Sequence, residues 1–180
     1  TLPMIALLVL LLTGGVTAQE NLDQEPLDLH RGFDDLLLGL SLQEARDRLV
    51  GNSNFMYRGA PDVSLRPFDQ ERSIETEGRG YMERGAFLFD DDYLYIITLF
   101  LSRERLDYFT MYRTLERKYG EPDDLSPERA LWENETTSMS LERPLTVKYV
   151  DRERFEGRIE EGEMEESLRA QMREIFLEQF

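Results

Sequence analysis

The residues best placed to do chemistry in this chain are three consecutive aspartates, Asp90 to Asp92, within the apolar stretch FLFDDDYLYIITLFL (87–101). Clustered carboxylates could bind a metal ion. A calcium loop, however, needs the pattern D-x-[DN]-x-[DN]-G and a distal Glu, so that the oxygens surround one ion. Neighbouring side chains in a strand point to opposite faces and do not converge, whereas Asp tolerates turn conformations. The spacing therefore predicts the turn of a β-hairpin, with no metal site.

The remaining sequence contains no recognisable catalytic motif. The single histidine, His30, lies in a polar segment and is expected to be a solvated loop residue, and the chain has no cysteine nucleophile. The patterns G-x-S-x-G, H-E-x-x-H and G-x-G-x-x-G are absent, as is a P-loop. We therefore predict no catalytic, cofactor-binding or metal-binding residue, no cofactor and a non-enzymatic protein.

The alternative is a small ligand-binding module that uses buried tyrosines, or a hydrolase that uses a carboxylate pair. Glycoside hydrolysis needs only two carboxyl groups about 5 to 10 Å apart. The chain has 37 acidic residues, and nothing in the sequence selects two of them.

The N-terminus predicts export. Residues 4–12 (MIALLVLLL) form an uninterrupted apolar run, and a glycine pair and small residues follow up to Ala18. This is typical of the hydrophobic region and cleavage site of a signal peptide (1–18), with cleavage after Ala18. A membrane span needs about 20 apolar residues, which is longer than this run. We expect a periplasmic or secreted protein without stable membrane insertion after signal cleavage. An uncleaved signal that anchors the protein in the membrane is the alternative.

The net charge and the lack of cysteine limit the classes of partner and of protein that fit this chain. The formal net charge is −16, which repels phosphate backbones and anionic lipid and argues against nucleic-acid binding. Without cysteine, neither disulfides nor a lipid attached at a signal-peptide cysteine are available. A domain of this size can rely on its core instead of disulfides, which favours a bacterial envelope protein.

After a polar leader (19–35), residues 36–151 predict an α+β domain that begins with a capped helix. Ser41 and Glu44 form the S-x-x-E pattern of a capping box, in which each side chain satisfies a backbone N–H of the other. The apolar face and the terminating glycine follow at helical spacing: Leu42, Ala45, Leu49 and Gly51.

A second helix is predicted in LDYFTMYRTLERKYGEP (106–122). Asp107 or Ser102 can cap its start, and Gly120 and Pro122 end it. Its apolar stripe is expected to pack on the core, with tyrosine hydroxyls at the rim. The stripe consists of Tyr108, Met111, Tyr112, Leu115 and Tyr119.

Strands are predicted around both helices. Residues 87–101 form the hairpin, and ALWENETTSMSLE (130–142) and LTVKYVD (145–151) form two or three strands, with Trp132 against the second helix. Between the first helix and the hairpin, 72–77 predicts an edge strand and 59–70 a loop. The order helix, strands, helix, strands predicts two helix-plus-antiparallel-strand units, 36–101 and 102–151, packed as a two-layer domain.

Several of these strings carry a resemblance. The L-x-x-KYGEP string, followed by LWE and LTVKYVD after a hairpin of the FLFDDDYLY type, resembles uncharacterised exported bacterial cell-envelope proteins. GLSLQEARDRL (39–49) followed by antiparallel strands is similar to small envelope domains of the BamE/SmpA type, which assist outer-membrane protein assembly. This resemblance implies a periplasmic interaction or envelope-assembly protein, although the lipid-bearing cysteine typical of the BamE group is missing here.

Two apolar surfaces are candidates for contacting a partner, which would be another envelope protein or a second copy. The first is one face of the strand at 93–101, with Tyr95, Ile97 and Leu99. The second lies in the segment 152–180, expected to be a charged linker and an amphipathic C-terminal helix. Its stripe consists of Met164, Leu168, Met172, Ile175 and Phe176. Docking of this helix on its own domain and pairing with another protein both remain open.

Overall fold

A computed structural model describes residues 28–59, 63–65 and 72–162 as an α+β fold, which confirms the predicted class. The strands are β1 (Gly32–Phe33), β2 (Leu36–Leu37), β3 (Val63–Leu65), β4 (Arg72–Glu77), β5 (Met82–Asp90), β6 (Tyr93–Leu101), β7 (Asp124–Leu125), β8 (Arg129–Glu133), β9 (Thr137–Glu142) and β10 (Thr146–Asp151). The helices are α1 (Leu42–Gly51), α2 (Tyr108–Tyr119) and α3 (152–162).

The strands β3 to β10 form one antiparallel sheet in the order β3–β4–β5–β6–β10–β9–β8–β7, and β1 pairs with β2 in a separate ribbon. Each half of the large sheet is a meander, and the last strands of the two halves, β6 and β10, meet at its centre. The helices α1 and α2 each precede one meander. Four strands follow α2, where the sequence predicted two or three.

The Asp-rich stretch is the turn between β5 and β6, as predicted. Asp91 and Asp92 have φ values of 46° and 68°, and a two-residue turn with both φ values positive matches the right-handed twist of its strands. Asp90 lies in the strand opposite Tyr93 and is only 8% exposed. Asp92 Oδ1 also accepts the backbone N–H of Leu42 at 3.1 Å, which ties the hairpin to the start of α1.

One face of the sheet carries the core. The pairing register aligns a row of apolar side chains across six strands, and each of them is at most 6% exposed. The row consists of Ile74, Phe87, Ile97, Tyr149, Met139 and Trp132. Leu42, Ala45 and Leu49 of α1 and Leu115 of α2 belong to the same cluster. Burying one such side chain fully contributes about 1.5–3 kcal/mol, so this layer holds the helices on the sheet.

A β-bulge corrects the predicted faces of β6. Leu88 pairs with Ile96 and Phe89 with Leu94, so Tyr95 is an extra residue without a partner position on β5. An extra residue shifts the alternation by one. Leu94 therefore points into the core together with Ile97, whereas simple alternation had put them on opposite faces.

The folded region also extends beyond the predicted boundaries. Residues 28–35, expected within a polar leader, include the buried Leu29 and strand β1. The segment 63–65, expected within a loop, is the edge strand β3, so β4 is paired on both sides. Residues 152–162, expected to be a linker, form α3 directly after β10.

Candidate functional site

A mainly apolar depression lies between α2 and the β7–β8 connection, and we call it the α2 groove. Its volume is about 600 Å³, within the range of binding sites for small molecules and peptides. It is lined by Asp107, Tyr108, Phe109, Tyr112, Leu125, Ser126, Pro127 and Arg143.

The helix wall of the groove is held in place at both ends. Asp107 is the N-cap and accepts the Thr110 hydroxyl at 2.6 Å and the Thr110 backbone N–H at 2.9 Å, and these two bonds lower the pKa of Asp107. At the other end Trp132 Nε1 donates to the carbonyl of Gly120 at 2.9 Å. The Tyr112 ring lies 6.2 Å from the Trp132 ring, as the predicted packing of Trp132 required. These contacts give the groove a fixed wall.

Two side chains make the groove apolar at its surface. Phe109 is 69% exposed and Leu125 is 60% exposed. Leaving such side chains in water gives up the hydrophobic free energy of burying them, and contiguous exposed apolar patches commonly mark interaction sites. Because these residues stay mostly exposed, the groove is open and does not enclose a ligand.

Arg143 supplies the charge at the groove. Its guanidinium carbon lies 4.3 Å above the centre of the Tyr108 ring, and its Nε donates to the Pro127 carbonyl at 2.8 Å. The Tyr108 hydroxyl in turn donates to the Leu141 carbonyl at 3.2 Å, and burial raises the pKa of Tyr108. Among the residues that the structure describes, no carboxylate pairs with Arg143. Stacking and the single hydrogen bond fix its orientation and leave its terminal N–H groups available.

A second depression, of about 440 Å³, is polar and lies at the end of the β6–β10 pair. Asp151 accepts hydrogen bonds there from Arg31 Nη2 at 2.6 Å and from the Tyr93 hydroxyl at 3.1 Å, and it also accepts the backbone N–H of Arg154 in the first turn of α3. Asp90 forms ion pairs with Arg154 at 3.3 Å and with Arg158 at 3.8 Å.

Both buried carboxylates of this depression are therefore paired with arginine. Burial is the main cause that raises the pKa of Tyr93, and the negative charge of Asp151 is the second. Across the described ranges, no group of three or more His, Cys, Asp or Glu side chains is arranged to hold a metal ion. The arrangement anchors the N-terminal segment and α3 to the sheet.

The structure buries the strand surface that the sequence analysis had offered to a partner. Tyr95, Ile97 and Leu99 are 4%, 0% and 1% exposed, and the last two lie in the core, so they present no free surface. The other candidates, Met164, Leu168, Met172, Ile175 and Phe176, lie outside the described residues. The preceding helix α3 presents Phe155 and Ile159, which are 39% and 47% exposed, beside Leu131 and Val150 of the sheet face opposite the core.

Sequence reasoning missed Phe109, Leu125 and Arg143. A signal for Phe109 was available, because it falls outside the apolar stripe of α2, where an amphipathic helix normally carries polar residues. Leu125 and Arg143 carried no such signal, because Leu125 ends β7 and Arg143 follows β9, and both reach the groove only when the sheet packs against α2. Tyr108 and Tyr112, which belong to the predicted apolar stripe of α2, also line the groove.

The chain belongs to the TP0088 domain family, whose profile matches residues 31–161, more than half of the sequence. This family is uncharacterised, so membership assigns no activity. No match was found among curated proteins or among solved structures. None of the helices in the described part of the chain is long and apolar enough to cross a membrane.

Proposed function

We propose that this protein is a non-enzymatic interaction protein of the bacterial cell envelope, and that it binds a segment of another envelope protein in the α2 groove. The observation that carries the proposal is the exposure of two apolar side chains in one groove. Phe109 lies on the helix wall that Asp107 and Trp132 hold in place, and Leu125 lies at the end of β7. A preorganised apolar surface can bind without a large cost of ordering its own side chains.

The openness of the groove favours a polypeptide over a small ligand. Small-molecule sites bury most of the ligand surface, whereas this groove leaves two of its apolar side chains, Phe109 and Leu125, more than half exposed. A polypeptide brings enough surface of its own to cover Phe109 and Leu125. Asp90 and Asp151 both form ion pairs with arginine. Carboxylates bound to arginine are poor candidates for a hydrolytic acid–base pair, which supports a binding function over hydrolysis.

Export rests on the sequence. The apolar run 4–12 and the small residues before Gln19 support a signal peptide, and the lack of cysteine is compatible with an envelope protein that relies on its core. The capped helix α1 followed by antiparallel strands supports the likeness to BamE/SmpA-type domains. After cleavage the protein would act in the periplasm or outside the cell.

We also propose that the fold consists of two related units, α1 with β3–β6 and α2 with β7–β10. The supporting observation is the strand order, in which two meanders meet through their last strands, β6 and β10. The groove would then lie on the second unit alone.

Photo-crosslinking in the producing bacterium tests the interaction. The photoreactive residue p-benzoylphenylalanine replaces Phe109 in one strain and Leu125 in another. A third strain carries it at Tyr81, which is 62% exposed and does not line the groove. We expect positions 109 and 125 to form an adduct with the same protein and position 81 to form none.

The crosslinked protein is then identified by mass spectrometry, purified and titrated against the wild type and Phe109→Ser. We expect binding to weaken about tenfold in the variant, because a large apolar contact contributes more than 1.4 kcal/mol. An adduct pattern shared with position 81, an adduct of the chain with itself, or equal binding by Phe109→Ser would reject the proposal.

A further inference from the structure

We infer that the α2 groove recognises an extended protein segment in which a large apolar side chain is followed closely by a carboxylate. This inference rests on the proposed function and assigns the chemistry of its partner. The groove joins two kinds of contact: an apolar floor, and one arginine whose charge is not neutralised by a described carboxylate.

The apolar part of the partner follows from the lining. Phe109, Tyr112 and Leu125 border the same depression together with the Tyr108 ring. Aromatic and aliphatic side chains gain most from burial on such a surface, through area and through ring–ring contacts. A polar segment would instead leave Phe109 and Leu125 without a comparable contact.

The carboxylate follows from the state of Arg143. The described contacts engage only its Nε, which leaves both terminal nitrogens free to donate two parallel hydrogen bonds to one carboxylate. The stacked Tyr108 ring holds the guanidinium plane, so little side-chain freedom is lost on binding.

The second charge at the groove does not oppose this assignment. Asp107 is acidic, but both of its oxygens are occupied by Thr110, at 2.9 Å from the backbone N–H and at 2.6 Å from the hydroxyl. Asp107 thus faces the positive end of the α2 helix dipole, which offsets its charge. Arg143 is left as the group that selects the sign of the partner, in a chain whose net charge is −16.

The experiment uses the full chain and a defined probe, a library of random dodecapeptides displayed on phage. We expect enriched peptides to place an aromatic or large aliphatic residue within a few positions of Asp or Glu. Their affinities are then measured by fluorescence anisotropy with synthetic peptides, at low and at high salt, because a charge contact to a surface arginine weakens with salt.

Four variants locate the contact. We expect Phe109→Ser to weaken peptide binding about tenfold. Arg143→Gln should weaken it about tenfold for the acidic peptide, because the charge-assisted hydrogen bonds from the guanidinium to the carboxylate are lost. It should leave the same peptide with Glu replaced by Gln unchanged. Arg143→Lys should restore part of the loss, because the charge is kept and the planar fork is lost. Tyr81→Ser should bind like the wild type.

The outcomes separate this inference from the function it rests on. Enriched peptides that need Phe109 but bind equally well with Arg143→Gln would overturn the carboxylate and leave the interaction function standing. An absence of enrichment, or binding that Phe109→Ser does not change, would overturn the peptide site, while the crosslinking experiment still decides whether another protein covers it. The inference would also be rejected if the protein bound anionic lipid vesicles through Phe109 and bound no peptide.

Discussion

Asp151 is expected to be the side chain whose loss most weakens the link between the sheet, α3 and the N-terminal segment. Its side chain is 6% exposed, and it accepts from Arg31 at 2.6 Å, from the Tyr93 hydroxyl at 3.1 Å and from the backbone of Arg154. The replacement Asp151→Ala leaves Arg31 and Tyr93 without this partner and removes the cap of α3.

The expected loss can be worked out from these contacts. Removing one partner of a buried ion pair costs about 3–5 kcal/mol, and losing a helix cap costs about 1 kcal/mol. The Arg31 side chain is 34% exposed, so water compensates a good part of the ion-pair loss. We therefore expect Asp151→Ala to lower the free energy of unfolding by about 3 kcal/mol.

Urea titration followed by circular dichroism measures this loss, and the chain offers a matched control. Asp124 also pairs with an arginine, Arg129, at 3.2 Å, but both side chains are about half exposed. Asp124→Ala should cost less than about 1 kcal/mol. The reasoning would be refuted if Asp151→Ala stayed within about 0.5 kcal/mol of the wild type, or if both replacements cost the same.

A second readout for the same site is the titration of Tyr93. Burial is the main reason that its pKa is raised, and the Asp151 carboxylate adds to the rise. Asp151→Asn should therefore lower the pKa of Tyr93 while leaving it above its usual range. An unchanged titration, followed by ultraviolet absorbance, would mean that Asp151 does not act on this hydroxyl.

Three further predictions concern stability. Burial raises the pKa of Tyr149, so the folded state favours its neutral hydroxyl. The stability that this preference gives is complete below about pH 10, where a tyrosine in the unfolded chain begins to ionise, and is lost at higher pH. Tyr149→Phe should therefore make the alkaline loss of stability shallower in urea titrations, and an equally steep loss would contradict this. A Cβ at Gly85 would lie 2.6 Å from the Phe55 ring, whereas one at Gly157 in α3 would meet nothing within 4 Å. In urea titrations Gly85→Ala should thus destabilise by about 1–3 kcal/mol and Gly157→Ala should stabilise by about 0.5–1 kcal/mol, and the opposite order would show the packing to be misjudged. Removing residues 163–180 should leave a cooperatively folding domain. A lower melting temperature at every protein concentration would indicate that the segment docks in cis, whereas loss of an oligomer seen by light scattering would indicate pairing in trans. A truncated protein that fails to fold would contradict the prediction and place the segment in the core.

Much of the local structure followed from the sequence because its causes are local. Ser41 and Glu44 form the predicted capping box, in which Glu44 Oε2 accepts the Ser41 hydroxyl at 2.7 Å and the Ser41 backbone N–H at 2.8 Å, and these bonds lower the pKa of Glu44. Asp107 caps α2, and the turn at Asp91 and Asp92 has the conformation expected between two strands. Each of these features depends on residues within a few positions of one another, so the sequence contains the whole interaction.

The site and the topology could not be predicted in the same way, because they depend on contacts between distant residues. Arg31 and Asp151 are 120 positions apart, and the one-residue shift at Tyr95 arises from the pairing of β5 with β6. The α2 groove brings Phe109 next to Arg143 only after α2 has packed on the sheet. The sequence by itself determined the α+β class, the caps and the hairpin turn, since short-range sterics and hydrogen bonds decide them. The tertiary structure decided the strand order, the register and the position of Phe109 near Arg143. Burial of the shared core selects among many strand pairings that are locally equivalent, so these features do not follow from short stretches of sequence.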